Sequence, residues 1–114
     1  MQFSSMQMQV LDENRRADGN RRIAAYIAER FPQAFAGRDE PQQAAVIERM
    51  RKAGAVFGFE RDDHLGTYIV LHLMYGAGFE SQPWAANVLG NALLSPQAKI
   101  RTLERRVRAA GASL

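Results

Sequence analysis

Asp62-Asp63-His64-Leu65-Gly66-Thr67-Tyr68-Ile69-Val70-Leu71-His72-Leu73-Met74-Tyr75 is the stretch on which the fold turns. It carries Leu65, Tyr68, Ile69, His72, Leu73 and Tyr75. The segment is apolar nearly all round, the pattern of a helix covered on every side. Asp62 or Asp63 supplies its cap, and Gly76-Ala77-Gly78 ends it. This segment is expected to be the central, most buried helix.

Upstream, Ile47, Met50 and Phe57, in line with the small residues Ala44 and Gly54, trace one apolar stripe at helical spacing. Asp39 is placed to cap that helix, Pro41 suits its first turn, Gln42 completes a capping box, and Gly58 is expected to end it. Earlier still, Met6 to Phe31 reads as helix. Ile23, Ile27 and Phe31 recur every four residues beside Ala24 and Ala28, while Arg21, Arg22, Glu29 and Arg30 take the other side. Its first half, with Met6, Val10 and Leu11 ahead of the polar stretch Asp12 to Asn20, is less regular. Gly19 is a point of interruption there, residues 1–20 read as the less ordered part, and residues 21–110 as the core. Pro32 is the stop.

Downstream, a short fourth helix starts near Pro83 and carries Trp84, Val88, Leu89 and Leu93. Ser95-Pro96 restarts the chain as a hydroxyl cap followed by proline at the first helical position. The last helix sets Ile100, Leu103 and Val107 on one face and Lys99, Arg101, Arg105, Arg106 and Arg108 elsewhere, with Gly111 closing it. No 20–50-residue repeat is present, and no strand-like alternation is long enough for a sheet. The expectation is an all-α fold, a single compact bundle of about five helices forming one domain over residues 1–114.

Composition agrees with a folded domain: 114 residues, 46% hydrophobic and 24% charged. The absence of cysteine excludes disulfides and thiolate metal sites. Net charge is +3 from 15 basic and 12 acidic residues, and every basic residue except Lys52 and Lys99 is arginine. That balance permits an acidic protein surface or nucleic acid as partner. Apolar runs such as Tyr68 to Leu71 are far short of the ~20 residues that cross a bilayer. Met1 to Ser5 has neither a basic nor an apolar leader region, so a cytoplasmic location is the default and no membrane partner is expected.

Catalytic chemistry finds little purchase. His64 and His72 are eight residues apart, which puts both within ~80° of one helix face. Metal-binding helices use spacings of three or four, and no third histidine or cysteine is present. The structural reading is preferred: His64 in a first turn, His72 packed among Tyr68 and Tyr75 with its ring nitrogens hydrogen-bonded. The serines sit at termini or helix starts without a nucleophile elbow. Asp39-Glu40 and Asp62-Asp63 are helix-start pairs that suit the dipole better than acid–base work. Gly76-Ala77-Gly78 is too short for a phosphate loop. No catalytic residue, metal or cofactor is assigned.

Two groups remain as binding candidates. Lys99 to Arg108 holds five basic residues and one acid, Glu104. Cations there complement the dipole and solvate the surface, and they also suit an acidic protein or, less well without aromatic neighbours, phosphates. Tyr75, Phe79 and Trp84 surround the glycine loop. Trp84 beside Pro83 reads first as a core anchor; where exposed, the cluster has the residue types of an interaction hot spot. The candidate partner-binding residues are therefore Tyr75, Phe79, Trp84, Arg101, Arg105 and Arg108.

Phe31-Pro32, Gly54 to Phe59, Tyr68 to Phe79, Pro83-Trp84-Ala85, Ser95-Pro96 and Leu103 together resemble a family of small, uncharacterised, all-helical bacterial proteins. Members of that family are encoded in type VI secretion gene clusters near spike, PAAR-type and effector genes. The resemblance covers Ile23 to Val107. It departs at Glu80-Ser81-Gln82, where relatives carry a longer acidic loop, and that leaves partner identity open. It implies a non-enzymatic protein-binding module that serves as an immunity protein or as an effector adaptor or chaperone. The implied partner is a secreted effector or spike component. The alternative is a nucleic-acid-binding regulator using the arginine-rich last helix.

Overall fold

The computed structural model describes residues 5–76 and 78–110, with side chains described from residue 14 onward. Five α-helices follow in order: α1 (Ser5–Arg30), α2 (Glu40–Ala55), α3 (Asp62–Tyr75), α4 (Pro83–Leu89) and α5 (Pro96–Ala109). A single 3-10 turn, Phe79–Ser81, precedes α4, and there is no strand among the described residues. The all-α expectation holds. None of the described helices is long and apolar enough to cross a membrane.

α3 occupies the centre. Every residue from His64 to Leu71 is buried, and α1, α2, α5 and the 3-10 turn all pack against it. Its apolar circumference is what allows this, because each side meets another element rather than water. Ile23 and Ile27 from α1, Ile47 and Met50 from α2, and Ile100 and Leu103 from α5 close around it at 5% exposure or less. Each such side chain contributes roughly 1.5–3 kcal/mol of transfer free energy. α1 packs tightly against Gly66, where an added Cβ would stand 2.6 Å from Cδ1 of Tyr26.

The helix ends follow local chemistry. At α2 the amide of Gln42 donates to Asp39 Oδ1 at 2.9 Å, and the amide of Asp39 donates to Gln42 Oε1 at 2.9 Å, a complete capping box. At α5 the amide of Ala98 donates to Ser95 Oγ at 3.1 Å, with Pro96 in the first turn. Gly76, at φ 86°, ends α3 with its amide on the His72 carbonyl.

Several local expectations are corrected. α1 runs unbroken through Gly19. The missing side chain there makes room for Arg51 of α2, whose Nη2 would lie 2.9 Å from a Cβ at that position. Arg51 donates to Asn20 Oδ1 from Nε at 3.0 Å and from Nη2 at 2.8 Å, and Asn20 Nδ2 donates to Glu48 Oε1 at 2.9 Å. A polar clasp therefore joins α1 to α2 where the sequence is least apolar. The cap position of α3 is Arg61, not either aspartate. Asp62 and Asp63 lie in the first turn, where their charge still favours the dipole. α2 stops at Ala55, short of Gly58; Gly58 has φ 84° and abuts Pro96. α4 ends at Leu89, so Leu93 belongs to the following turn and is 94% exposed. Residues 1–4, Ala77, Gly111 and the side chains of Met6, Val10 and Leu11 lie outside the described residues.

Candidate docking surface

α5 is two-sided. Ile100, Leu103 and Val107 face the core, whereas Arg101, Arg105 and Arg108, spaced i, i+4, i+7, share the opposite side and are all exposed. These three arginines line one open depression of about 660 Å³ together with Leu94, Ala98, Thr102 and Glu104. Among the described residues, Glu104 is the only acid lining it. Arg108 sits 3.6 Å from Glu104, and Arg105 Nη2 donates to Thr102 Oγ1 at 3.3 Å. Such exposed contacts cost little to exchange for a ligand carboxylate, since a surface ion pair is worth ~1 kcal/mol or less. Ionised guanidinium groups present forked donors that match planar acidic groups.

Two other cations of the cluster leave this face. Lys99 is only 8% exposed, with its ammonium 5.9 Å from the centroid of the Phe57 ring. Its stem packs on the apolar side, contrary to its assignment to the polar face, because a lysine can bury methylenes while its head stays near an aromatic face. Arg106 donates from Nη1 to the Trp84 carbonyl and so ties α5 to α4.

The aromatic candidates form a separate feature, and none of them lines the α5 depression. Tyr75 and Trp84 meet edge to face at 5.2 Å between centroids, with Tyr75 41% exposed and Trp84 half-buried. Phe79 lies beneath Trp84 at 0% exposure, stacked on it at 6.1 Å and tilted against Tyr68 at 5.7 Å. Its place in the partner-binding set is corrected: with no surface to offer, it packs. Phe59 continues the chain of rings at 5.4 Å from Tyr68.

The Tyr68 hydroxyl donates to Glu80 Oε1 and so fastens the 3-10 turn to α3. Burial, reinforced by this hydrogen bond and by the carboxylate charge, pushes the Tyr68 phenol well above its ordinary value. His64 Nε2 lies 4.0 Å from Asp63 Oδ1, whereas His72 sits edge-on to Phe79. His72 Nδ1 is buried without a protein hydrogen-bond partner among the described residues, contrary to the expectation of a bonded ring. No group of three or more His, Asp or Glu residues is placed to hold a metal ion among the described residues.

A second surface escaped the sequence reading. Phe31, Pro32 and Ala34 form one wall of a groove floored by Val70, Leu73 and Met74. The Phe31-Pro32 break is its only sequence signal, since the floor belongs to a helix 40 residues further along.

No family model, curated protein or solved structure matches this chain.

Proposed function

We propose that this chain is a non-enzymatic protein-binding module that docks an acidic surface of its partner through the outer face of α5. The observation that carries the reading is the convergence of Arg101, Arg105 and Arg108 on one depression whose single acidic liner among the described residues is Glu104. The opposite side of α5 is given over to the core, so the fold is secured by one face and the cations are displayed by the other. Multiple guanidinium groups on one surface steer an acidic partner and fix its register more than they add raw affinity. The resemblance to proteins of type VI secretion clusters supports a cytoplasmic immunity protein, or an adaptor or chaperone, for a secreted effector or spike component. Blocking an effector's active site by a rigid helical surface is the mechanism we favour.

Co-purification with the product of each flanking gene tests this. The expected result is one stable complex that weakens with salt and is lost when Arg101, Arg105 and Arg108 are together replaced by alanine. Failure of every flanking product to bind at micromolar concentration would sink the reading. Nucleic acid is the competing ligand for the same cations. Duplex DNA retention that disappears in the triple variant, with a salt slope reduced by about 3, would assign the face to phosphates instead. Among the described residues no aromatic side chain lines the depression to stack a base, which disfavours single strands.

A further inference from the structure

We infer that the groove between the end of α1 and the second half of α3 receives an acidic amphipathic helix from a partner protein. Its floor is Val70, Leu73 and Met74, an i, i+3, i+4 face of α3, and its wall is Phe31, Pro32 and Ala34. The space measures about 740 Å³. Met74 is 44% exposed, so the groove presents apolar surface to water.

The wall is preformed. The Phe31 amide donates to the Ile27 carbonyl at 2.7 Å, that of Ala34 to Phe31 at 2.9 Å, and that of Arg38 to Phe35 at 3.1 Å. Phe35, 5% exposed, anchors this series of turns in the core. An occupant therefore meets a fixed shape and is spared the cost of ordering it.

Charge selects the occupant. Among the described residues, Arg30 and Arg38 are the ionisable liners of the groove, both are exposed, and no carboxylate joins them. Arg30 lies 5.3 Å from the Tyr26 ring centroid, and Arg38 Nη1 donates to the Ala34 carbonyl at 3.3 Å. A guanidinium carries five N–H donors, so both keep donors for a carboxylate at the rim. A basic segment would be repelled. A second copy of this chain, net charge +3, would bring the same arginines face to face in a symmetric contact. The fitting partner is a helix of about 10–14 residues, ~15–21 Å long, with apolar anchors at i, i+3 or i+4, and i+7, and Asp or Glu beside them. No residue is shared with the α5 depression, so this inference does not rest on the function proposed above.

The test is selection of a displayed library of random peptides, each about 14 residues long, against the full chain. Enriched sequences are expected to combine helically spaced Leu, Ile, Phe or Met with Asp and Glu. Binding of one enriched peptide, read by fluorescence anisotropy, is expected to weaken at least about tenfold in Met74→Asp and in the Arg30→Ala/Arg38→Ala pair. The α5 triple variant is expected to bind it unchanged. In the unsubstituted protein the same peptide is expected to move the Met74 methyl resonance, a readout that survives even if Met74→Asp fails to fold. Enriched peptides without acidic bias, or binding that ignores the arginine pair and leaves the Met74 methyl unmoved, would overturn the inference. So would a Met74 methyl shift that grows with protein concentration alone, because a second copy would then be the occupant.

Discussion

Gly66 shows how one missing side chain sets the distance between two helices. Alanine is the better helix former by ~1 kcal/mol, but its Cβ would sit inside contact distance of the Tyr26 ring, at a buried crossing of α1 on α3. Overpacking wins, and Gly66→Ala is expected to destabilise the fold by about 1–3 kcal/mol in urea denaturation. Tyr68 offers a second single-residue test. Its phenol is held neutral in the folded protein by burial and by Glu80, so that stabilisation is complete below the ordinary tyrosine value near 10 and is lost as pH rises above it. The stability of the unsubstituted protein is expected to fall more steeply above about pH 10 than that of Tyr68→Phe. Parallel alkaline arms would show that the Tyr68 proton contributes nothing. At this scale the caps of α2 and α5 were legible in sequence because Asp39, Gln42 and Ser95 act on amides three residues away. The depth of Phe79 and the inward turn of Lys99 were not, because each depends on a ring supplied by a distant segment.

Among elements, α5 depends on a single side-chain cap at its first turn. The Ser95 hydroxyl satisfies the Ala98 amide, and Ser95→Ala is expected to cost about 1 kcal/mol of stability in thermal or chemical unfolding. Apolar patterning together with start and stop residues identified all five helices, and the arginine stripe at 101, 105 and 108 could be read from spacing alone. Boundaries were harder. Gly19 looked like a break because glycine usually weakens a helix, yet here it admits the Arg51 guanidinium that reaches Asn20. Leu93 looked like a continuation of α4, but the helix ends at Leu89 and the chain turns before Ser95. The apolar groove was invisible because its wall comes from the turns after α1 and its floor from α3, which meet only on folding.

In the whole molecule, α3 is the element on which cooperativity depends, since three helices and the 3-10 turn rest on it. Ile69 is fully buried there, and Ile69→Ala is expected to cost about 2–5 kcal/mol. Because total stability of such domains is only about 5–15 kcal/mol, that variant is expected to unfold at markedly lower denaturant. Helical circular dichroism and Trp84 fluorescence should still give coincident transitions. Separate transitions would mean that α4 and its neighbours do not share the α3 core. The central nature of α3 was the most legible global feature, because a segment apolar on every side has no stable place at a surface. The division of α5 into a structural and a displayed face gives the central functional claim its sharpest form: stability and docking reside on opposite sides of one helix. The direct measurement is paired, recording the melting temperature of Arg101→Ala/Arg105→Ala/Arg108→Ala and its Kd for the co-purifying partner beside those of the unsubstituted protein. The expected result is a melting temperature within a few degrees of the original, since exposed substitutions to alanine change stability by little, with a Kd raised at least about tenfold. An unchanged Kd, or a loss of binding explained by a collapse in melting temperature, would contradict the account.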